Sequence, residues 1–234
     1  MKLTQLSSTV TQLTILGFSN VYLLRESDGF TVIDTSLGGQ AKGIVEAAQQ
    51  QNTPIKRILL THAHGDHIGS LDKLHDLLGR VDVAISEREA PLLHKDLTLR
   101  PGEPPQKPKG SLPGAKTRPT HTLTDGELFG SLRCISTPGH TPGHMSFLDE
   151  RDGTLFAGDA LVGIGNRLSL VTAPPWWFPL PKMATWDVPT ADRSAQRLLG
   201  VSPRLVCTGH GAAIPNGTEA LREALRRKGL HESR

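Results

Sequence analysis

The stretch Thr61-His62-Ala63-His64-Gly65-Asp66-His67-Ile68-Gly69 determines how the rest of this sequence is interpreted. It places four side chains able to bind metals, His62, His64, Asp66 and His67, within six positions, although all 234 residues include only ten histidines. Imidazole nitrogens and carboxylate oxygens are both good ligands for zinc and similar divalent ions. The stretch therefore predicts a metal-binding loop.

The local geometry of this loop suits two adjacent ions. In an extended chain successive side chains alternate, so His62 and His64 point to the same side. A turn at Gly65 then lets Asp66 and His67 face a neighbouring position. The preceding hydrophobic run IKRILL predicts a buried strand that ends at Thr61 and brings the loop to the rim of a sheet.

Three further motifs follow along the chain: TPGHTPGH at 137–144, AGDA at 157–160 and GHG at 209–211. With THAHGDH at 61–67, which is similar to an HxHxDH signature, they resemble the metallo-β-lactamase-fold superfamily. The likeness is to its lactonase and glyoxalase II-like branch. Four motifs in the family's order, spanning about residues 15 to 215, make the resemblance specific.

The resemblance implies a centre of two divalent metal ions. The implied ligands are His62, His64 and His140 at one ion, Asp66, His67 and His210 at the other, and Asp159 between them. Asp34 matches an acidic position that supports a ligand by hydrogen bonding, and His144 is expected to pack beneath the site. Zinc is the expected metal, while iron, manganese and cobalt stay open because the same ligands accept them.

The pattern of strands and helices agrees with that family. VYLLRES and FTVIDTS read as strands joined at Asp28-Gly29, and apolar residues recur at helical spacing in 41–48 and 71–78. VDVAIS, LRCIS, MSFLDE, GTLFAGDALV and RLVCTG read as further strands, with helices near 190–200 and 217–229. We therefore predict an α+β fold, a four-layer αββα sandwich of two mixed sheets flanked by helices, in one domain over residues 1–234.

Two proline-rich segments interrupt the pattern. Residues 96–120 predict an irregular loop, because proline cannot join a helix interior or a central strand. Residues 163–189 also predict a loop, and they hold all three tryptophans of the chain. Trp176, Trp177 and Phe178 are the candidate wall or lid of a substrate pocket, and the alternative is a loop pinned to the core.

The implied chemistry is hydrolysis. A hydroxide that bridges two ions is expected to attack an acyl carbon, with Asp66 as the catalytic residue that orients it. The aromatic segment favours a small-molecule substrate such as a lactone, for example an acyl homoserine lactone, or an ester. Alternatives are a glyoxalase II-like thioesterase, a mononuclear-iron persulfide dioxygenase and a phosphodiesterase or nuclease. Lactonases that this sequence resembles often place a tyrosine near the metals, between the bridging aspartate and the last histidine. Here the only tyrosine is Tyr22, so the identity of a general acid stays open.

Composition and sequence pattern disfavour a nucleic-acid-binding, membrane-bound or secreted protein. A net charge of +3 is too small to favour nucleic-acid binding. No stretch approaches the roughly 18 to 20 apolar residues of a membrane-spanning helix, and MKLTQLSSTV lacks the apolar core of a signal peptide, so we expect a cytoplasmic protein without membrane contact. Cys134 and Cys207 are expected to be reduced and buried, with a disulfide as the alternative. The oligomeric state stays open, a homodimer included.

Overall fold

The computed structural model describes residues 1–230, so residues 231–234 of the predicted domain lie outside the described part. The chain divides into two compact units. The N-terminal unit comprises Met1–Asp96 and Ser111–Leu123, and the C-terminal unit comprises Leu97–Gly110 and the chain from Thr124 onward. Each unit has its own sheet and its own hydrophobic cluster.

A mixed seven-stranded sheet forms the N-terminal unit, and its strands follow chain order. They are β1 (Lys2–Gln5), β2 (Val10–Ile15), β3 (Ser19–Arg25), β4 (Phe30–Ile33), β5 (Ile55–Leu59), β6 (Asp82–Ser86) and β7 (His121–Leu123). Strands β1 to β4 pair antiparallel, whereas β4 to β7 pair parallel. Parallel neighbours need crossover connections, and each of the three contains at least one helix.

The helices of this unit are α1 (Ala41–Gln49), α2 (Gly65–Ile68), α3 (Leu71–Leu78) and α4 (Ala90–Leu93). Helix α1 buries Ala41, Ile44 and Ala48, and α3 buries Leu71 and Leu74. These apolar stripes are the ones that the helical spacing predicts. They pack into the cluster that also holds the buried side chains of β5 and β6.

The C-terminal unit contains a six-stranded sheet of order β15-β14-β11-β10-β9-β8 and a separate hairpin of β12 and β13. The strands are β8 (Leu128–Phe129), β9 (Leu132–Ser136), β10 (Met145–Asp149), β11 (Thr154–Gly158), β12 (Leu161–Ile164), β13 (Arg167–Leu170), β14 (Leu205–Thr208) and β15 (Ile214–Pro215). Only β11 and β14 pair parallel in this six-stranded sheet. The sheet is therefore mixed, like that of the N-terminal unit.

Three helices belong to this unit: α5 (Leu180–Ala184), α6 (Val188–Leu199) and α7 (Gly217–Arg227). Helix α6 is capped by Asp187, whose side chain accepts a hydrogen bond from the Thr190 N–H at 2.9 Å. This is a stabilising N-cap, because it satisfies one of the N–H groups without a partner in the helix. Both α6 and α7 bury one apolar face, and Leu198 and Leu221 are fully buried.

The predicted α+β class, with two mixed sheets and flanking helices, is confirmed, and the loop over 96–120 contains no regular helix or strand. Two local predictions were wrong. GTLFAGDALV is not one strand, because the chain turns at Gly158, with φ of 50°, and separates β11 from β12. Residues 163–189 are not a continuous loop, because Leu168 and Leu170 alternate inward along β13 and Leu180–Ala184 forms α5.

Within residues 1–230, no helix has both the length and the hydrophobicity that crossing a bilayer would require.

Candidate metal centre

The histidine-rich loop follows β5 as the sequence predicts. His64 is extended, with φ of −68° and ψ of 149°, and the single helical turn α2 starts at the next residue. His62, His64 and His67 are buried, whereas Asp66 is half-buried. The imidazole groups are thus largely removed from water, and Asp66 keeps partial access to it.

A close backbone contact holds the end of this loop in place. A Cβ atom at Gly69 would lie 2.6 Å from the backbone nitrogen of Gly38, so no larger residue fits without a shift. In the same region the carbonyl of His67 accepts hydrogen bonds from the Thr35 N–H at 2.7 Å and the Thr35 hydroxyl at 2.9 Å. The chain that leaves β4 therefore fixes the position of α2.

Asp34 supports two parts of the loop at once. Its Oδ1 accepts from the Thr61 N–H at 2.8 Å, and its Oδ2 accepts from the Thr61 hydroxyl and from His67 Nδ1, both at 2.8 Å. Asp34 has a φ of 58°, a left-handed conformation that costs an L-residue about 1–2 kcal/mol. Three hydrogen bonds to a buried carboxylate offset this cost. A carboxylate only accepts, so His67 carries its proton on Nδ1 and presents the Nε2 lone pair.

The same reasoning shows which ring nitrogen of His62 carries the proton. The Thr61 hydroxyl donates its one proton to Asp34, so its oxygen accepts from His62 Nδ1 at 3.0 Å. His62 therefore presents its Nε2 lone pair, which lies 3.1 Å from His64 Nδ1. Two nitrogen ligands of a tetrahedral zinc ion lie about 3.3 Å apart. The separation fits two nitrogens that share one ion.

In the C-terminal unit His140 is held in the same way. The Thr185 hydroxyl donates to the Pro181 carbonyl at 2.8 Å, so it accepts from His140 Nδ1 at 3.1 Å. Backbone bonds of 2.9 Å from Trp186 to His140 and from Asp187 to Gly139 align the two segments. His140 thus also presents its Nε2 lone pair.

Gly139 allows this arrangement. Its φ is 127°, and a Cβ atom there would lie 2.1 Å from the backbone nitrogen of Ala191 in α6. A larger residue would push the His140 segment away from the start of α6, where Thr185 and Asp187 hold it. The glycine of this motif is therefore required for close packing.

Asp159 lies between two histidines. Its Oδ2 is 3.1 Å from His210 Nε2 and 3.5 Å from His140 Nε2. His144 is not one of these neighbours of Oδ2. It lies behind the carboxylate, where its Nε2 accepts the Asp159 N–H at 3.0 Å and its Nδ1 bonds the Thr137 hydroxyl at 2.8 Å. His144 therefore fixes the backbone that presents Asp159.

The chemistry of these groups fits divalent metals. Of the predicted ligands, His62, His64, Asp66 and His67 lie in the N-terminal unit, and His140, Asp159 and His210 lie in the C-terminal unit. Three of the imidazoles, those of His62, His67 and His140, are held by the protein through Nδ1, which is the usual way in which a metal-binding histidine is oriented.

The predicted pocket residues differ in how far they are exposed to solvent. Trp176 and Trp177 are 89% and 60% exposed, whereas Phe178 is half-buried. The Phe178 ring lies 6.3 Å from the ring of His210 and 6.2 Å from that of Trp177. The third tryptophan, Trp186, is buried. A role for the first three in substrate binding stays a prediction.

Sequence reasoning missed three supporting side chains, Thr61, Thr185 and Glu89. The fully buried Glu89 accepts the Ala63 N–H at 2.9 Å, between two of the predicted ligands. Thr61 stands next to the histidine motif, and its position alone signalled a role. Thr185 is 45 residues from His140 and Glu89 is 26 from Ala63, so no local pattern reveals them.

The chain belongs to the metallo-beta-lactamase superfamily, whose family model matches residues 14–210. An uncharacterized Bacillus subtilis protein, YobT, is 45% identical over 231 residues, 97% of this chain and 98% of its own length. The hydroxyacylglutathione hydrolase of Methylococcus capsulatus is 30% identical over 94% of this chain and 78% of its own length. The solved structure of TTHA1623 in a di-iron-bound form has a TM-score of 0.64 and 26% identity, and the match covers 89% of this chain and 95% of that one.

These likenesses confirm the predicted family and its fold. They place the chain in a superfamily of metal-dependent hydrolases.

Proposed function

We propose that this protein hydrolyses an acyl bond, in a lactone or an ester, with two divalent metal ions held by the seven predicted ligands. The observation that carries the proposal is the anchoring of His62, His67 and His140 through Nδ1, which is how the protein usually orients a metal-binding histidine. Zinc is the favoured metal. Iron is the first alternative, since TTHA1623 holds two irons.

Metal ions at such a site act as Lewis acids that ionise water near neutral pH and polarise a carbonyl group. The half-buried Asp66 orients the attacking water and takes its proton on a carboxylate oxygen. It returns that proton to the leaving oxygen of the substrate. Asp34, Thr61, Thr185 and His144 keep the ligands and Asp159 in place.

The exposed aromatic side chains support an uncharged, partly apolar substrate. A thioester is the second candidate, favoured by the 30% identity with a hydroxyacylglutathione hydrolase. Lactones, esters and thioesters are all attacked at an acyl carbon. A comparison of turnover among them therefore decides between the candidates.

The test combines elemental analysis of the purified protein with a panel of lactones, esters, thioesters and phosphodiesters. His64→Ala and Asp159→Asn should lose metal and lower kcat/KM by about 100-fold or more, beyond what loss of a supporting residue costs. His75→Ala is the matched control, because His75 lies on α3 outside the predicted ligands. Full turnover by His64→Ala would contradict the site. One iron per chain together with oxygen consumption on a persulfide would instead identify a dioxygenase.

A further inference from the structure

Four large apolar side chains are exposed within eight residues of the C-terminal unit. Trp176, Trp177, Leu180 and Met183 are 89%, 60%, 64% and 67% exposed. Single exposed apolar residues are ordinary, but large exposed apolar patches mark binding surfaces, and four such residues this close in the chain predict one. We call these four residues and Phe178 the aromatic surface.

The segment that carries the aromatic surface is fixed at both ends. At its start the Thr172 hydroxyl donates to Asp192 at 2.5 Å, and Lys228 bonds the two oxygens of Asp192 at 2.5 and 2.6 Å. At its end Thr185 bonds the Pro181 carbonyl and His140. The segment that exposes these apolar side chains is therefore anchored at both ends.

The aromatic surface continues inward to a predicted metal ligand. Phe178 neighbours both Trp177 and His210, at ring separations of 6.2 and 6.3 Å. The Nε2 atom of His210 is 3.1 Å from Asp159. A ligand chain lying along these rings would thus have one end beside His210 and the other at the exposed tryptophans.

We propose that the aromatic surface binds the apolar acyl chain of the substrate, so that the enzyme prefers medium- to long-chain acyl esters or lactones. This inference rests on the proposed function. The continuity of rings from His210 to Trp177 favours an acyl chain over a second copy of the protein, which would not need contact with His210. Each buried methylene then adds about 0.8 kcal/mol, or about fourfold in affinity.

Two measurements test this inference. Straight-chain carboxylates of increasing length are titrated calorimetrically into the metal-loaded protein, and kcat/KM is measured for the matching series of esters. Affinity and kcat/KM should rise by up to about fourfold per methylene until the surface is filled. Trp177→Ala should remove the dependence of affinity and of kcat/KM on chain length. The ratio of kcat/KM for the longest ester to that for the shortest should fall at least tenfold. Leu128→Ala is the matched control, because Leu128 is 58% exposed on β8, outside the aromatic surface, and it should keep the ratio.

The outcomes separate the two proposals. Carboxylate affinity that rises with length and falls in Trp177→Ala, without hydrolysis of any ester or lactone, would keep the surface and overturn the proposed function. Hydrolysis that is equally fast at every length, with unchanged carboxylate binding in Trp177→Ala, would overturn the surface and keep the function. Sedimentation could instead show a dimer that Trp177→Ala dissociates, with affinity and kcat/KM independent of chain length. That result would make the aromatic surface an interface between copies of the protein and overturn the inference. Trp177→Leu repeats the test if the alanine variant does not fold.

Discussion

At the scale of single residues, the Thr185 hydroxyl determines which nitrogen of His140 carries the proton. Both side chains are buried, so removal of the hydroxyl leaves the His140 Nδ1–H without its acceptor, at a cost of about 1–3 kcal/mol. Thr185→Val should lower metal affinity about 10- to 100-fold, the usual effect of losing such a support. Thr185→Ser should keep near-normal affinity, since it retains the hydroxyl. Competition with a chromophoric chelator measures both, and equal affinity of the valine variant and the wild type would exclude this role.

The two cysteines also allow a residue-scale prediction. Both are free and buried in the structure, and their reduced state in solution stays a prediction. Burial raises the pKa of Cys134 to about 12 and raises the pKa of Cys207 as well. The thiolate is the reactive form, so at pH 8 the native protein should not react with a disulfide reagent such as DTNB. Two thiols per chain should appear once a denaturant is added, and rapid labelling of the native protein would contradict the burial.

At the scale of elements, Asp72 ties the start of α3 to the second part of the proline-rich loop. Its carboxylate accepts from the Lys116 N–H at 3.0 Å and from the Thr117 N–H and hydroxyl at 2.8 and 2.7 Å. Burial acts to raise the pKa of Asp72, but these hydrogen bonds outweigh it and lower the pKa. Asp72→Asn should therefore lower the free energy of unfolding by about 1–2 kcal/mol at pH 7.

The sign of the pH dependence follows from the lowered pKa. A carboxyl group with a depressed pKa stabilises the fold above its unfolded value of about 3.9 and loses that contribution as the pH falls through the folded value. The difference in the free energy of unfolding between wild type and Asp72→Asn should thus be largest at neutral pH and vanish at strongly acidic pH. Urea unfolding at several pH values measures it. Asp76→Asn, an exposed position on the same helix, is the control and should show no such gap.

The elements also show what sequence can and cannot predict. Helices α1 and α3 follow from spacing, because one apolar face decides each of them. The predicted ligands were inferred from short motifs, whose residues are neighbours in the chain, and their role stays a prediction. Thr185 and Glu89 act through contacts made only after folding, so no local signal predicts them. Helix α5 forms in a proline-rich segment, with Pro181 in its first turn, where proline is tolerated.

At the scale of the whole molecule, the predicted ligands divide between the units, four in the N-terminal unit and three in the C-terminal unit. Buried carboxylates such as Asp34 and Asp159 are costly without compensating charge, and a bound divalent cation would supply it. Metal binding should therefore stabilise the fold in addition to enabling catalysis.

The melting temperature tests this expectation. An ion present at 100 times its Kd stabilises the native state by about 2.7 kcal/mol. In a domain of this size each kcal/mol shifts Tm by about 2–4 °C, so a chelator should lower Tm by about 5–10 °C. His64→Ala and Asp159→Asn should lose most of this shift, whereas His75→Ala should keep it. If these ligand variants responded to zinc as the wild type does, the stabilising ions would bind elsewhere on the protein, because a shift that survives the loss of a ligand cannot come from ions that the ligand holds.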